Sequence, residues 1–113
     1  MNTEPEPFSI THRTEGACEV VTIVGELDMA NAATVAEMLD ALADPARPVI
    51  VDLSELAFID SSGIHAIVSP RGEQGVIALV CPPGNIQRVL SVTKLDRVLP
   101  LYETLDQALA ELG

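Results

Sequence analysis

Two short, uninterrupted apolar segments do most to constrain the fold of this chain. Residues 49–51 (Val-Ile-Val) and 76–80 (Val-Ile-Ala-Leu-Val) carry no polar side chain. Strands buried on both faces have this pattern, as in parallel sheets that helices cover on each side. The sequence therefore predicts an α/β fold whose sheet is mixed but mostly parallel.

The predicted sheet opens with an antiparallel hairpin. Residues 8–14 alternate weakly and predict an edge strand, and the β-branched residues of 19–25 predict its partner across a turn at Glu15 and Gly16. A last strand is predicted over residues 98–102.

Four helices are predicted to cover this sheet. The first follows Asp28, whose carboxylate can cap it, and ends before Pro45. The second must stop at Pro70, because proline lacks the amide and clashes with the preceding turn. The other predicted ranges are 61–69 for the second helix, about 85–93 for the third, and from the capping-box residue Thr104 onward for the fourth.

Length and charge limit the domain count and the partners. The chain has 113 residues, which suits a flexible tail over residues 1–7 and one domain over residues 8–113. Six basic and seventeen acidic residues give a net charge of −11, which disfavours nucleic acid and anionic lipid as partners.

The start lacks a secretory signal, and no apolar run approaches the roughly 20 residues of a membrane helix. We therefore expect a soluble, cytoplasmic protein without a membrane partner.

The cysteines and histidines do not form a recognisable site. Cys18 and Cys81 belong to no CxxC motif, and His12 and His65 are equally scattered. Cytosolic cysteines of this kind are typically buried, small apolar residues. The sequence predicts free thiols, no metal and no cofactor.

The most informative motif is Asp60-Ser61-Ser62-Gly63, which opens the second helix. Aspartate and serine are common at helix starts simply because their oxygens satisfy free amides of the first turn. The same amides and the positive end of the helix dipole also tolerate a phosphate on serine. A phosphate there adds nearly two negative charges, which a docked partner would encounter.

Four segments together resemble STAS-domain anti-sigma factor antagonists, a family of bacterial regulators. The resemblance covers roughly residues 8–112, in order and at about the expected spacing. It is carried by Gly25-Glu26-Leu27-Asp28, Asp52-Leu53-Ser54, Phe58-Ile59-Asp60-Ser61-Ser62-Gly63 and Leu95-Asp96-Arg97-Val98-Leu99.

The resemblance implies a phosphorylation switch. It assigns Ser62 as the phosphoacceptor and Asp60 to kinase recognition, with Ser61, Gly63 and Asp28 completing the partner-binding surface. The unphosphorylated form would bind an anti-sigma factor, a GHKL-type serine kinase, and thereby release a sigma factor. The kinase would then phosphorylate the antagonist, and a PP2C-type phosphatase would reset it. No enzymatic activity is expected of this chain itself.

One feature departs from the resemblance. Relatives usually carry a longer helix after the motif, whereas Pro70 shortens it here by about one helical turn. Because that helix contributes to the kinase-facing surface, the shortening predicts an altered docking face and an atypical partner. The alternative is that residues 71–75 form a solvated loop without effect on binding.

Two other functions compete with this one. A hydrolase triad of Ser62, His65 and Asp60 has poor geometry, because triad members usually come from separate segments. A STAS module that regulates or scaffolds another partner, such as a transporter complex, is the stronger alternative.

Overall fold

The structure, a computed structural model, describes residues 7–68 and 77–113. Within these ranges the chain forms a sheet of six strands, four α-helices and one 3-10 helix. The strands are β1 (Ser9–Glu15), β2 (Cys18–Leu27), β3 (Val49–Asp52), β4 (Leu56–Ile59), β5 (Ile77–Val80) and β6 (Leu101–Tyr102). The helices are α1 (Ala32–Leu42), α2 (Ser61–Val68), α3 (Asn85–Val92) and α4 (Leu105–Leu112), with the 3-10 helix at Leu95–Arg97.

The sheet is mixed, and its long central strand is β2. The strand order is β1-β2-β3-β5-β6, with β1 antiparallel to β2 and the other neighbours parallel. β3 pairs with the first half of β2, and β4 pairs in parallel with its second half, beyond an irregularity at Gly25 and Glu26. The predicted α/β fold with an N-terminal hairpin and four helices is confirmed.

The two faces of the sheet support separate hydrophobic clusters. Val21 and Val51 point to the face that α1, α2 and α3 cover, whereas Val20 and Ile50 point to the face that α4 covers. This alternation along neighbouring strands is the period-two pattern of a sheet buried on both sides. None of the helices within the described ranges is long and apolar enough to cross a membrane.

Two predicted elements differ from the structure. No strand was predicted over residues 56–59, but they form β4, which continues the parallel pairing along β2 after β3 ends. The last strand is only Leu101–Tyr102 instead of residues 98–102. Its predicted first part instead follows the 3-10 helix, where the amides of Val98 and Leu99 both donate to the Leu95 carbonyl.

Some predictions fall on residues that the structure does not describe. The flexible tail was predicted over residues 1–7, of which only Pro7 is described. The helix end at Pro70 and the loop at residues 71–75 also lie outside the described residues. These predictions remain expectations.

The two cysteines lie on opposite faces of the sheet. Cys18 belongs to the cluster beneath α4, and Cys81 belongs to the cluster beneath α1, α2 and α3. Both are buried and free, and burial raises the pKa of each thiol. The sheet between them prevents a disulfide without unfolding.

A polar cluster ties the hairpin to the segment before β3. The Glu19 carboxylate accepts hydrogen bonds from the His12 imidazole, from Arg47 Nε at 2.7 Å and from Thr14 Oγ1 at 3.1 Å. These bonds, that of His12 above all, lower the pKa of Glu19 to about 2. Arg47 also donates to the Gly16 carbonyl at 3.1 Å, so one side chain links the hairpin turn to β3.

Replacing Glu19 with glutamine is expected to lower stability at neutral pH, by an amount that shrinks in acid. The folded-state pKa of Glu19 lies below its ordinary value of 4.5. The stabilisation from its ionised form is therefore fully present above about pH 4.5 and is lost as the pH falls towards 2. Melting temperatures measured from pH 7 down to acid would show the two proteins converging.

The matched control is Glu15→Gln, which removes an exposed ion pair with Arg13. Exposed pairs of this kind contribute little, so a small effect is expected at every pH. A difference between wild type and Glu19→Gln that stays constant down to acid pH would contradict the role assigned to Glu19.

Candidate functional site

The Asp60-Ser61-Ser62-Gly63 motif lies where β4 ends and α2 begins. The Asp60 amide donates to the Leu27 carbonyl at 3.2 Å, which joins the end of β4 to the end of β2. Asp60 Oδ1 accepts from the Gly63 amide at 3.1 Å, and its carbonyl accepts from the Ile64 amide at 3.0 Å. Asp60 is therefore the N-cap of α2, and the motif has the helix-start geometry that the sequence predicted.

Gly63 brings the first turn of α2 into close contact with the sheet. A Cβ atom at this position would lie 2.6 Å from Leu27 Cγ, 2.9 Å from Ile59 Cγ1 and 3.0 Å from the Leu27 carbonyl oxygen. No side chain larger than hydrogen fits there without movement of the neighbours. Glycine at this position thus fixes how the adjacent serines are presented.

The two serines differ in their surroundings. Ser61 is exposed, whereas Ser62 is half-buried and lines a shallow groove of about 250 Å³ between α1 and α2. His65 lies one helical turn further along and lines the same groove, opposite three alanines of α1 (Ala32, Ala33 and Ala36). Both serines lie in the first turn of α2, where backbone amides lack intrahelical acceptors and can receive an anion.

Asp28 does not cap α1 as predicted. The helix begins at Ala32 after Asn31, and no side chain caps it. Asp28 Oδ1 instead accepts from the Ala30 amide at 3.0 Å, and the Asp28 amide donates to Asn31 Oδ1 at 3.0 Å. The Asp28 carboxylate stabilises a tight turn between β2 and α1, so the helix begins only at Ala32. Asp28 nevertheless follows directly on Leu27, beside the start of α2.

Two exposed apolar side chains lie at this edge of the sheet, and neither was predicted from the sequence. Met29, in the turn after β2, is 81% exposed, and Phe58, on β4, is 47% exposed. Phe58 pairs with Glu26 of β2 across the parallel ladder. Large apolar side chains left in solvent near polar groups are typical of a protein-binding surface. Phe58 was not predicted as a surface residue because the sequence pattern does not indicate the short strand β4 on which it lies.

The charge at this edge is negative. Glu26, Asp28 and Asp60 lie in or beside the two turns that precede α1 and α2. Among residues 24–62, the single basic side chain is Arg47, which is bonded to Glu19 at the far end of β2. We name the surface formed by Asp28, Met29, Phe58, Asp60, Ser61 and Ser62 the switch edge. It suits a partner that brings positive charge.

A hydrolase triad does not form here. A triad needs the aspartate to orient the histidine, yet the bonded Asp60 oxygen accepts from the Gly63 amide. Within the part of the chain that the structure describes, no hydrogen bond joins His65 to Asp60 or Ser62, and no cluster of metal-binding side chains occurs.

The sequence profile of the STAS domain matches residues 9–108 of this chain. This chain belongs to the STAS domain family. Its sheet with the N-terminal hairpin and its helix start at Asp60 occur within the matched residues.

Individual STAS proteins extend this likeness. The anti-sigma-F factor antagonist RsfB of Mycobacterium tuberculosis is 29% identical over 109 residues, covering 93% of this chain and 89% of RsfB. The crystal structure of an anti-sigma factor antagonist from Mycobacterium paratuberculosis superposes with a TM-score of 0.85 at 26% identity, covering 98% of each chain. The resemblance to STAS-domain anti-sigma factor antagonists is confirmed.

A homologue of TM1081 from Thermotoga neapolitana is more similar over a shorter stretch. It is 38% identical over 68 residues, which are 57% of this chain and 60% of that relative. The alignment thus spans less than two thirds of the relative's length.

Proposed function

We propose that this STAS domain is an anti-sigma factor antagonist that is switched by phosphorylation of Ser62. Its unphosphorylated form binds an anti-sigma factor, a GHKL-type serine kinase, and so frees a sigma factor. The observation that carries the proposal is the position of Ser62 in the open first turn of α2, at the edge of the sheet where Met29 and Phe58 are also exposed. The antagonist names of RsfB and of the mycobacterial structure support it. A role in a transporter complex is not favoured by these relatives.

The switch edge explains how a phosphate changes binding without unfolding the domain. The amides and dipole at the start of α2 stabilise negative charge within the domain itself. A partner docked over Ser62 meets the added bulk and nearly two further charges beside Asp60 and Asp28. Phosphorylation therefore acts on the interface, and a PP2C-type phosphatase that removes the phosphate restores binding.

The direct test is to map phosphorylation by the partner kinase. The protein is incubated with its co-purified anti-sigma kinase and ATP, and phosphopeptides are sequenced by mass spectrometry. A single phosphate on Ser62, absent from Ser62→Ala and retained in Ser61→Ala, is the expected result. Phosphate on Ser61 alone, or no phosphate with an active kinase, would refute the assignment.

Asp60 is expected to matter to partner binding more than to folding. Asp60→Ala removes the cap on the Gly63 amide and should cost about 1 kcal/mol of stability, which a domain can survive. Asp60→Asn is the matched control for charge, because asparagine caps helices as well as aspartate does. We expect both variants to fold and both to lose kinase affinity.

Urea unfolding and isothermal titration calorimetry with the kinase separate the two roles. If Asp60→Asn binds as wild type does and only Asp60→Ala is weakened, Asp60 acts through the cap alone. If Asp60→Ala unfolds outright, its role is structural.

A further inference from the structure

The positive charge of this acidic protein is concentrated in one short stretch. Three of the six basic residues, Arg88, Lys94 and Arg97, lie on α3, just after it and in the 3-10 helix. Arg13 and Arg47 are paired with glutamates. By contrast, none of the three side chains at 88–97 makes an ion pair or side-chain hydrogen bond in the described part of the chain. All three side chains are exposed to solvent.

Two valines are exposed within the same stretch. Val92 is 74% exposed and Val98 is 70% exposed. Val92 lies four residues after Arg88 and therefore on the same side of α3, and Val98 follows Arg97 directly. Exposed apolar side chains beside arginines match the composition of protein interfaces, in which arginine is enriched.

The backbone holds these side chains in a fixed arrangement. Leu90 and Leu95 are buried and anchor α3 and the 3-10 helix to the core. The Thr93 amide donates to the Val89 carbonyl at 3.0 Å, and Lys94 occupies the left-handed region with φ of 62°. A lysine after a helix end is favoured by the helix dipole. The dipole of α3 does not explain why Val92 and Val98 are exposed, nor why Arg97 lies in the 3-10 helix.

The end of α3 and the 3-10 helix lie at the opposite end of the strands from the switch edge. β2, β3, β4 and β5 are parallel, so α2 begins at the edge where these strands end. β6 is parallel to β5, so the chain between them must return through α3 to the edge where the strands begin. The end of α3 and the 3-10 helix therefore remain open when a partner covers Ser62.

We propose that Arg88, Val92, Lys94, Arg97 and Val98 form a second docking surface, which binds an acidic segment of a partner protein that also carries apolar side chains. Charge complementarity selects this occupant, because three cations and one acidic residue, Asp96, stand out in a chain of net charge −11. A second copy of the chain fits less well, since two copies of net charge −11 repel each other overall. The proposal does not depend on phosphorylation of Ser62.

The probe for this surface is a fluorescein-labelled peptide, Glu-Asp-Leu-Glu-Glu-Leu-Asp-Glu-Leu-Asp, titrated with the full chain by fluorescence polarisation. Saturable binding that weakens with added salt is expected. Arg88→Ser, Lys94→Ser and Arg97→Ser combined should weaken it about tenfold or more, because the charges steer and hold the peptide. Val92→Ser with Val98→Ser should weaken it about fivefold through lost apolar contact.

Charge reversal gives the sharpest control. The combined variant Arg88→Glu, Lys94→Glu and Arg97→Glu should no longer bind the acidic peptide. It should instead bind a peptide in which lysine replaces each acidic residue. Arg13→Ser, which removes an exposed cation on β1, should bind as wild type does. All variants alter exposed positions and should keep the wild-type melting temperature and anti-sigma affinity.

Several outcomes would overturn the proposal. It fails if the acidic peptide does not bind, if the serine variants bind it unchanged, or if a peptide with serine for every leucine binds equally well. Sedimentation that shows a dimer lost in the same variants would assign the surface to a second copy. Binding to phosphatidylglycerol vesicles, but not to the peptide, would assign it to a membrane.

Discussion

Replacing Gly63 with alanine is expected to destabilise the domain by about 2–3 kcal/mol, as overpacking of a tight contact does. In an open helix the same change would stabilise by about 1 kcal/mol, because alanine is the better helix former. Here the new methyl group would meet Leu27 Cγ at 2.6 Å and the Leu27 carbonyl oxygen at 3.0 Å. The backbone oxygen cannot rotate away, so α2 must shift. Urea unfolding would show a lower midpoint with an unchanged slope.

Two further variants make this test specific to the contact. Ser61→Ala changes an exposed residue of the same helical turn and should leave the midpoint nearly unchanged. Leu27→Ala alone should cost about 2–5 kcal/mol through the cavity that it leaves. Combined with Gly63→Ala, it should cost less than the sum, because the closest clashing atom is gone. Additive losses, or a neutral Gly63→Ala, would show that the helix is not held in this way.

The sequence predicted the parts of the fold that depend on burial. Residues 49–51 and 77–80 lie in buried strands because their side chains on both faces are apolar, and that property is local. The final helix was predicted from its capping-box residue, and Thr104 does cap it by accepting from the Gln107 amide at 3.2 Å. β4 was missed because its middle residues, Ala57 and Phe58, are both exposed, which breaks the alternation of a strand.

The candidate site was predicted in part. The sequence placed Asp60 at a helix start, which the structure confirms. Asp28 was wrongly expected to cap α1, because a tight turn uses its carboxylate first. Ala66 is buried because α2 packs beside α1. Such outcomes depend on which elements lie side by side, and local sequence patterns do not carry that information.

Replacing Ser62 with glutamate is expected to weaken binding to the anti-sigma kinase about 100-fold, which corresponds to about 2.8 kcal/mol. The added carboxylate would join Asp28 and Asp60 at an edge that is already acidic. A partner that brings positive charge and packs over Ser62 would lose complementarity and meet added bulk. Ser62→Ala removes only a hydroxyl and should bind within about threefold of wild type. Calorimetry with the purified kinase measures both affinities.

The melting temperature of Ser62→Glu distinguishes weaker binding from unfolding of the variant. A carboxylate in the first turn of α2 interacts favourably with the helix dipole, by about 0.3–1 kcal/mol. Ser62→Glu should therefore melt at or slightly above the wild-type temperature while it binds poorly. Ser61→Glu places the same charge one residue away at an exposed position outside the groove, and we expect it to weaken binding less. If Ser61→Glu is the more damaging change, the partner contacts the outer serine. If Ser62→Glu binds as tightly as Ser62→Ala, negative charge at the start of α2 does not control this interface, and the switch must lie elsewhere.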